Sequence, residues 1–551
     1  MTQDKDKLKI IPLGGLGAIG KNMTVFEYVD DLIIVDCGIM FPTDEQPGID
    51  FLIPDFSYVV RNRHRVRAIL VTHGHEDHIG AIPYLLQEVN APIYATRLTL
   101  GLIQSRLQEK PPREMPVLTE ISPRDVVHIG TFVVEFLQVN HSIIDGVALA
   151  IGTPLGTVIH TGDFKIDFSP VDGMVTDLHR FAEYGEKGVL LLMSDSTNAE
   201  RSGFTRSESV LSGKLIDIFS SSKGRIIVAS FASNINRIQQ VLDAAQRYNR
   251  KVIVSGITMQ KNIDIARELD CLKFREEMLI DVKEASRIPS KKQVVICTGT
   301  QGEPMSALAR MASGTHKHFS AGEGDTVVIT ASVIPGNERM VNNVINSLMR
   351  MGADVYYEQD EDIHVSGHGS QEELKLILSL TKPRFFMPIH GEFKMLKAHA
   401  RLAESLKIKG SRIILAENGQ IIEMTSRSFD ITGHLNPGNI FVDSGDIGNL
   451  DSGLIRDRHV LATEGILFVT LIMSRGRLAG GPEVVSRGIV DSANVRLLQQ
   501  IREDIEEQLD KVLGDGLSAR EISGFLRKSL KTYLNKLTRR NPLIEILILE
   551  V

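Results

Sequence analysis

The sequence has few cysteines, and those it has are far apart. Cys37, Cys271 and Cys297 are the three cysteines among 551 residues, and no two of them form a C-x-x-C pair. An odd and scattered set argues against a disulfide framework and against a thiolate metal site. We therefore expect reduced cysteines and a cytoplasmic location.

Long apolar runs and an excess of positive charge are also lacking. No apolar run is long enough to span a membrane, and the first nine residues are charged rather than signal-like. The net charge is −7 and the pI is about 6.2, which argues against a protein that coats nucleic acid indiscriminately. We expect no membrane partner, while a local basic groove stays compatible with these values.

The chain is too long for one ordinary hydrophobic core. Its 551 residues and 42% apolar content fit a globular protein. Cores of single domains stop growing well below this length, so we expect about three domains.

The most informative segment is Val71 to Gly80, which reads V-T-H-G-H-E-D-H-I-G. The apolar run before it predicts a buried strand, and Ile79 to Val89 has the pattern of an amphipathic helix. Side chains on the tight loop between two such elements face one small volume. Imidazole and carboxylate suit Zn or Mn, whereas a short H-x-H alone is also common in polar turns. The candidate ligands are His73, His75, Asp77 and His78.

Two later residues have similar settings. His141 follows the strand-like Thr131 to Leu137, and Asp163 follows the apolar run that begins at Val158. Each alone would be an ordinary polar residue. Beside the first motif, they are what a two-metal site still lacks: a third nitrogen for one ion and a carboxylate to bridge both. His160 points to the other side of its strand and is the weaker candidate.

A glycine loop near the start allows a different interpretation. Gly15, Gly17 and Gly20 satisfy G-x-G-x-x-G, the pattern of a dinucleotide site. That site needs a helix at the third glycine, but Asn22 to Tyr28 has the pattern of a strand. We favour a loop that lets a backbone or a phosphate approach closely. Asp36, which ends a later strand, is a candidate to orient a metal ligand.

A basic cluster precedes the central strand. Most such clusters are solvated surface, and phosphate contact is the less favoured interpretation. Its members are Arg61, Arg63, His64, Arg65 and Arg67.

These motifs together resemble a known family. The H-x-H-x-D-H segment with separate His and Asp motifs resembles the metallo-β-lactamase fold, and the rest of the chain resembles the bacterial ribonuclease J family, in the β-CASP branch of that superfamily. The likeness spans nearly the whole chain. It is carried by 13–22, 72–84, 160–164, 194–198, 231–237 (F-A-S-N-I-N-R), 299–305 (G-T-Q-G-E-P-M), 364–369 (H-V-S-G-H-G) and 387–392 (M-P-I-H-G-E).

The resemblance implies an α/β fold class: a metallo-β-lactamase αββα sandwich with an inserted β-CASP α/β domain and a small C-terminal α/β domain. In the middle third, helix-like and strand-like segments alternate, which itself indicates a parallel sheet. Ser518 to Glu521 is a capping box that opens a late helix, preceded by a helix from Asn494 to Leu513. The expected domains are 1–206 (metallo-β-lactamase, first part), 207–362 (β-CASP), 363–445 (return segment and linker) and 446–551 (C-terminal oligomerisation domain).

The resemblance also assigns a site. One ion would have His73, His75 and His141, the other Asp77, His78 and His390, with Asp163 between them. His368, tuned by Asp195, is the expected proton donor, because a histidine holds a proton near neutrality. Small polar residues after the strands of the inserted domain would line a crevice, among them Ser230, Thr298 and Ser332. The candidate pocket for a 5′-phosphate is Ser233, Asn234, His364, Ser366 and Gly367.

The expected function is hydrolysis of RNA phosphodiesters by a water activated between two divalent ions. Zn is the first choice and Mn the alternative. The family further implies 5′-to-3′ exonuclease action that favours 5′-monophosphate ends, endonuclease action, a homo-oligomer (dimer or tetramer) and other RNA-decay proteins as partners. Two rivals stay open: a metallo-β-lactamase hydrolase acting on DNA, a thioester or a lactam, and an inactive RNA-binding scaffold.

Overall fold

A computed structural model of the chain describes residues 7–551, apart from 44, 304, 332, 334–336, 359–362, 436–437, 448–451, 475–476, 490–494 and 514–516. Pro304, Ser332 and Asn494, which belong to the motifs and elements named above, lie outside the described residues. The chain folds into two compact units. The first comprises Met1–Met40 with Ile53–Ile440, and the second Phe41–Leu52 with Phe441–Val551.

The first unit begins with the helices and most of the strands that surround the candidate ligands. These elements are β1 (Leu8–Gly14), β2 (Leu16–Gly17), β3 (Met23–Tyr28), β4 (Asp31–Val35), β5 (Phe51–Pro54), α1 (Ser57–Arg61), β6 (Val66–Leu70), α2 (Glu76–Ile79), α3 (Ile82–Leu85), β7 (Ile93–Ala95), α4 (Arg97–Glu109), β8 (Leu118–Glu120), β9 (Val126–Ile129), β10 (Phe132–Gln138), β11 (Val147–Thr153), β12 (Gly156–His160), α5 (Leu178–Lys187) and β13 (Val189–Asp195). The strand Phe51–Pro54 crosses the boundary, because Phe51 and Leu52 belong to the second unit.

An inserted segment follows, and the chain then returns. The inserted elements are α6 (Ser209–Ser221), β14 (Ile226–Ala229), α7 (Ile235–Arg247), β15 (Lys251–Ser255), α8 (Ile257–Glu268), β16 (Gln293–Cys297), α9 (Ala307–Ala312), β17 (Thr326–Ile329), α10 (Glu338–Arg350) and β18 (Asp354–Tyr356). The returning elements are α11 (Gln371–Thr381), β19 (Phe385–Ile389), β20 (Gly391–Glu392), α12 (Phe393–Ser405), β21 (Gln420–Met424) and β22 (Phe429–His434).

Two sheets pack face to face, with helices outside them, as the αββα sandwich requires. One sheet has the order β22-β21-β1-β3-β4-β6-β7-β8 and the other β19-β13-β12-β11-β10-β9. The apolar core between them includes Phe26, Leu70, Phe136 and Leu149, all fully buried. The other face of the second sheet packs against α5, α11 and α12 through a second core that includes Phe386.

Register in the second sheet brings the candidate ligands to one edge. β12, β13 and β19 are parallel, with His160 opposite Met193 and Asp195 opposite Ile389. β13 reads V-L-L-L-M-S-D and is buried along its whole length, because a central parallel strand is covered on both faces. The loops after these three strands therefore start at the same level of the sheet.

The inserted segment forms its own parallel sheet, as its alternating pattern predicted. The order is β15-β16-β14-β17-β18, and Ala229 lies opposite both Cys297 and Ile329. Ser230, Thr298 and Thr330 therefore follow their strands at one edge. The helices cover a core of apolar residues that includes Ile227, Val295 and Leu348.

The second unit has a three-stranded sheet of order β26-β25-β27. Leu467, Val469 and Leu471 of β25 pack with Ile505 and Leu526 of the helices. The capping box is present, since Ser518 and Glu521 bond each other's backbone. Its elements are β23 (Asn439–Asp443), which begins just before it, β24 (Asp446–Ile447), α13 (Ser452–Thr463), β25 (Ile466–Ser474), β26 (Arg477–Arg487), α14 (Val495–Asp510), α15 (Ala519–Thr538) and β27 (Leu543–Glu550).

The sequence-based prediction of one helix was wrong about its length. The segment Ile79 to Val89 is not a single helix: α2 ends at Ile79 and α3 spans Ile82–Leu85. Pro83 lies in the first turn of α3, and it cannot donate the backbone hydrogen bond that a continuous helix would need. The short α2 keeps the metal-motif residues in a tight turn.

Candidate metal centre

Three imidazole nitrogens from the loops after β6 and β10 face one another. His73 Nε2 lies 3.0 Å from His75 Nδ1, and His141 Nε2 lies 3.1 Å from the same His75 nitrogen. Nitrogens about 2.0–2.1 Å from one tetrahedral ion lie roughly 3.3 Å apart. The three histidines therefore form a donor set of the right size for one divalent ion.

A second donor set lies beside the first. His78 Nε2 is 3.5 Å and His390 Nε2 is 3.4 Å from Oδ2 of Asp77. These residues come from the α2 turn and from the residue after β19. In a group with Asp163, their ligand atoms all lie within 4.8 Å of one another.

Asp163 stands between the two sets. Its Oδ2 lies 3.2 Å from His78 Nε2 and 3.4 Å from His390 Nε2. The same oxygen lies 3.7 Å from His73 Nε2 and 3.8 Å from His141 Nε2. One carboxylate oxygen therefore faces nitrogens of both sets, as a ligand shared by two ions would need to do.

The ring nitrogens on the far side have partners of their own. Such partners fix the ring orientation and leave the other nitrogen free to bind a metal. The expected role of Asp36 agrees with its contact to His78, and Thr72 N and Oγ1 also donate to this carboxylate, at 2.8 and 2.9 Å. The pairs are His78 Nδ1 with Asp36 Oδ2, His390 Nδ1 with Thr197 Oγ1, and His141 Nδ1 with Gly367 O, each at 2.8 Å.

Three supporting residues were not predicted from the sequence. Asn22 donates from its backbone and side-chain nitrogens to the Asp77 carbonyl, both at 3.0 Å. Thr72 and Thr197 hold Asp36 and His390 as described. All three lie in motifs that carried the resemblance, but nothing in the sequence alone distinguishes them from ordinary turn residues.

Glycine is required where the turn meets the first sheet. A Cβ on Gly38 would lie 1.6 Å from the carbonyl oxygen of Asp77. A Cβ on Gly14, which directly precedes the glycine loop, would lie 1.7 Å from the Lys21 carbonyl oxygen, so the start of the loop allows close backbone approach. The dinucleotide alternative fails because β3, and not a helix, follows this loop.

Electrostatics divide the histidines into two kinds. Burial lowers the pKa values of His73 and His141 well below the ordinary value for histidine. Burial also lowers the pKa of His75, to about 4. Burial also opposes charge on His78 and His390, but Asp163 and the neighbouring carboxylates outweigh it and raise each pKa. The carboxylates concentrate negative charge that divalent cations would neutralise. This chemistry and geometry suit divalent metal binding.

His368 lies next to both sets. Its Nδ1 is 2.7 Å from Asp195 Oδ2, and its ring centroid is 4.8 Å from His141 and 5.3 Å from His390. The side chain is 19% exposed, whereas Asp195 is 1% exposed. His368 therefore faces the opening of the site from a buried carboxylate support.

The phosphate-pocket candidates lie in two groups. Ser366 Oγ accepts from Asn198 Nδ2 at 2.8 Å and from His368 N at 3.2 Å, adjoining the metal centre. The carbonyl oxygen of Gly367 contacts His141 Nδ1, as described above. In the other group, Asn234 caps α7 by accepting from Arg237 N at 2.9 Å, and His364 Nδ1 is 3.4 Å from the Thr330 carbonyl oxygen. Ser233 precedes Asn234 and accepts from Ile235 N through its carbonyl at 2.9 Å.

Two weaker candidates have structural partners. His160 Nδ1 accepts from Gly162 N at 3.1 Å. In the basic cluster, Arg65 pairs with Glu27 at 3.1 Å and Arg67 with Asp31 at 2.6 Å. These pairs make the cluster a poorer phosphate site than its sequence suggests.

Family models match the chain in four segments. The matches are "Metallo-beta-lactamase superfamily" over 16–198, "Ribonuclease J, beta-CASP domain" over 223–348, "Zn-dependent metallo-hydrolase RNA specificity domain" over 354–414 and "Ribonuclease J C-terminal domain" over 453–551. Fold and donor sets together define a metallo-β-lactamase-fold protein of the β-CASP branch.

Curated relatives narrow this class to one family. Ribonuclease J 1 of Streptococcus pyogenes is 42% identical over 99% of this chain and 98% of its own length. Ribonuclease J of Thermus thermophilus is 41% identical over 99% and 96%. Ribonuclease J2 of Bacillus subtilis is 39% identical over the full length of both. The chain belongs to the ribonuclease J family.

A solved structure supports the fold. A crystallised protein of unknown function from Enterococcus faecalis V583 has a TM-score of 0.53 and 17% identity, covering 76% of this chain and all of its own. Among the described residues, no helix is both long and apolar enough to cross a membrane.

Proposed function

We propose that this ribonuclease J family member hydrolyses RNA phosphodiesters with two divalent ions, one in each donor set. The observation that carries the proposal is the position of Asp163 Oδ2, between 3.2 and 3.8 Å from nitrogens of both sets. Family membership supports the coarser statement, that the chain is a metal-dependent ribonuclease. The proposed action is 5′-to-3′ exonuclease with endonuclease activity, in RNA maturation and decay.

The chemistry follows from the arrangement of residues. Two bound ions would lower the pKa of a bound water to near neutral, and they would neutralise negative charge on the phosphate. Asp163 would fix the separation of the ions, and Asp77, His78 and His390 would orient the second one. In-line attack on phosphorus leaves a 5′-phosphate and a 3′-hydroxyl, and the departing 3′-oxygen needs a proton. We assign its donation to His368, supported by Asp195 at 2.7 Å.

Zn²⁺ is the proposed metal, with Mn²⁺ as the alternative. The first set offers three imidazole nitrogens, a combination typical of zinc. The second set mixes imidazole with carboxylate oxygen, which Mn²⁺ also accepts. Metal analysis of the purified chain distinguishes these ions.

A preference for 5′-monophosphate ends is proposed from the pocket candidates. Ser366 and Gly367 immediately precede His368 in the chain, so a phosphate that accepts from the Ser366 hydroxyl and from backbone N–H groups of this segment would lie near the cleavage position. Ser233, Asn234 and His364 would bind from the inserted domain. A terminal phosphate held there would place a nearby internucleotide phosphate at the ions and favour stepwise cleavage from the 5′ end.

The remaining proposals concern organisation. We retain the domain boundaries 1–206, 207–362, 363–445 and 446–551. We also propose cytoplasmic action, because the three cysteines are free, and association with other RNA-decay proteins.

Self-association is proposed for the C-terminal domain. On its sheet, Phe468 is 46% and Leu547 is 56% exposed, an apolar face suited to a second copy. Light scattering of wild type and of Phe468→Glu tests this: we expect a dimer or tetramer that dissociates in the variant. Leu537→Glu, on the helical side and 44% exposed, is the control.

One assay tests the central proposal. RNA labelled at the 5′ end, carrying either a monophosphate or a triphosphate, is incubated with wild type and with Asp77→Ala. We expect labelled mononucleotides from the monophosphate substrate, abolished in the variant. Unchanged release in the variant would exclude the site. Cleavage of DNA, a thioester or a lactam instead of RNA would favour another hydrolase, and RNA binding without cleavage would favour a scaffold.

A further inference from the structure

Helix α4 lies between the metal-binding turn and the inserted domain. On one side, a Cβ on Gly74 would lie 2.6 Å from Leu102 Cδ1 of α4. On the other side, a Cβ on Gly101 of α4 would lie 2.8 Å from Leu269 Cδ1 and 2.9 Å from Ile265 Cγ2. These close approaches, made possible by glycine, place α4 in contact with both the turn and the α8 region.

A line of charges runs across the same helix. Glu76 lies between His75 and Asp77, and its Oε1 accepts from Nε of Arg106 at 3.0 Å and also from Nη2. Arg106 Nη1 donates to Glu109 Oε2 at 3.0 Å, and Lys261 Nζ on α8 donates to Glu109 Oε1 at 2.5 Å. We call these four residues, Glu76, Arg106, Glu109 and Lys261, the charge relay.

The relay is too exposed to have folding as its main role. Its side chains are between 30% and 47% exposed, and exposed ion pairs contribute little to stability. The relay instead connects two parts of the protein. Glu76, at one end, adjoins two candidate metal ligands, and Lys261, at the other end, belongs to the inserted domain.

The turn is held from two directions. Asn22 fixes the Asp77 backbone from the first sheet through hydrogen bonds of 3.0 Å. Arg106 fixes the neighbouring Glu76 side chain from α4. Ligand orientation depends on such outer contacts, and their removal typically weakens metal binding or activity by about 10–100-fold.

We propose that Arg106 is a positioning residue that couples the inserted domain to the metal-binding turn through the charge relay. Contact of Lys261 with Glu109 favours the Arg106 rotamer that holds Glu76, and Glu76 in turn orients His75 and Asp77. Seating of the inserted domain therefore tightens metal binding and sets the turnover rate. The proposal rests on the proposed function for its catalytic part, but not for its metal-binding part.

The first experiment measures metal binding without activity. The full chain, stripped of metal, is titrated with Zn²⁺ against a fluorescent indicator. We expect about 10-fold weaker binding in Arg106→Ala, partial recovery in Arg106→Lys, and a smaller weakening in Lys261→Ala. Arg267→Ala is the matched control, because Arg267 lies on α8 with 42% exposure and pairs with Asp264 of the same helix. Wild-type affinity in Arg106→Ala would overturn the proposal.

The second experiment separates coupling from RNA contact. Lys261→Ala is assayed on RNA and on bis(p-nitrophenyl) phosphate, a diester too small to reach α8 from the metals. Coupling predicts the same fractional fall in kcat on both substrates with KM for RNA unchanged. A rise in KM for RNA alone would make Lys261 an RNA contact and overturn the coupling.

Glu109→Gln is a further variant, chosen because Arg106→Ala or Lys261→Ala could lose activity simply by failing to fold. It keeps the shape of the relay and removes its central charge, so it should reproduce the Lys261→Ala effect. Wild-type kcat and metal affinity in a folded Glu109→Gln would also overturn the proposal. If wild type failed to cleave RNA, the proposed function would fail, while the Zn²⁺ titration would still decide the coupling.

Discussion

His368 Nδ1 lies 2.7 Å from Asp195 Oδ2, and the carboxylate is buried while the imidazole is partly exposed. Burial lowers the pKa of His368, but the charge of Asp195 outweighs burial and raises that pKa above its ordinary value. The pair therefore favours the protonated form of a ring that faces the opening of the candidate metal centre. A histidine so placed suits donation to a leaving oxygen better than metal ligation.

Replacement of His368 should slow substrates with a poor leaving group much more than substrates with a good one. We expect His368→Ala to lower kcat on RNA by about 10²–10⁴-fold, the usual range for loss of a general acid. A p-nitrophenyl ester of a nucleotide needs no proton on its leaving group, so its hydrolysis should fall far less. Steady-state kinetics on both substrates provide the measurement. Equal losses on both would mean that His368 does not act as the acid.

Loss of single ligands should change metal stoichiometry in steps. His78→Ala damages the second donor set and leaves His73, His75 and His141 intact. We expect the bound metal, measured by atomic emission after gel filtration, to fall from two ions per chain to about one. His160→Ala, which changes a buried histidine outside the donor sets, should keep two. An unchanged ratio in His78→Ala would remove that residue from the site.

Outer contacts should affect metal affinity without changing any ligand. Asp36→Asn keeps the side-chain shape and tolerates the left-handed backbone of this residue, whose φ is +59°. It weakens the acceptor for His78 Nδ1, and we expect metal affinity or activity to fall by about 10–100-fold. Competition with a chelator measures the affinity. Asp30→Asn, at the tip of the same hairpin, serves as control; equal behaviour of the two variants would argue against the role of Asp36.

A buried ion pair should make stability depend on acid pH. Burial raises the pKa of Glu208, but Arg237 and Lys165 outweigh burial, and the pKa lies below its ordinary value of 4.5. Below that value the unfolded chain gains a proton that the folded chain resists. The stabilisation is therefore present above about pH 4.5 and is lost as pH falls further.

The test compares wild type with Glu208→Gln by denaturant unfolding between pH 7 and pH 4. The variant lacks this titration, so its stability should fall less steeply with acid. Its stability at pH 7 should be lower by about 3–5 kcal/mol, because the Arg237 side chain, 0% exposed, loses its partner. Parallel pH profiles for the two proteins would contradict this account of the pair.

Local sequence patterns predicted most strands well, and the reasons are physical. β13 and β15 have short continuous apolar runs that are typical of buried parallel strands, and Ser518 with Glu521 marks the start of α15. The extent of the helix after Ile79 was not predictable, because its apolar pattern continues through a break. That break depends on Pro83 and on contacts of the turn with distant strands.

Some residues of the candidate site could likewise be predicted from local sequence, and others could not. The ligand types in Val71 to Gly80 indicate a metal directly, whereas His390 was assigned through the family resemblance. The partner of His141 Nδ1 is the carbonyl of Gly367, 226 positions later, and no local pattern encodes such a contact. Likewise, the contact of α4 with the α8 region depends on Gly101, and its contact with the turn depends on Gly74; this packing is visible only in three dimensions.

The most direct test of the dinuclear centre is anomalous diffraction at the zinc edge from crystals grown with Zn²⁺. We predict two peaks, one about 2.0–2.1 Å from nitrogens of His73, His75 and His141, and one at similar distance from nitrogens of His78 and His390. Asp163 should contact both. A single peak, or peaks remote from Asp163, would contradict the account.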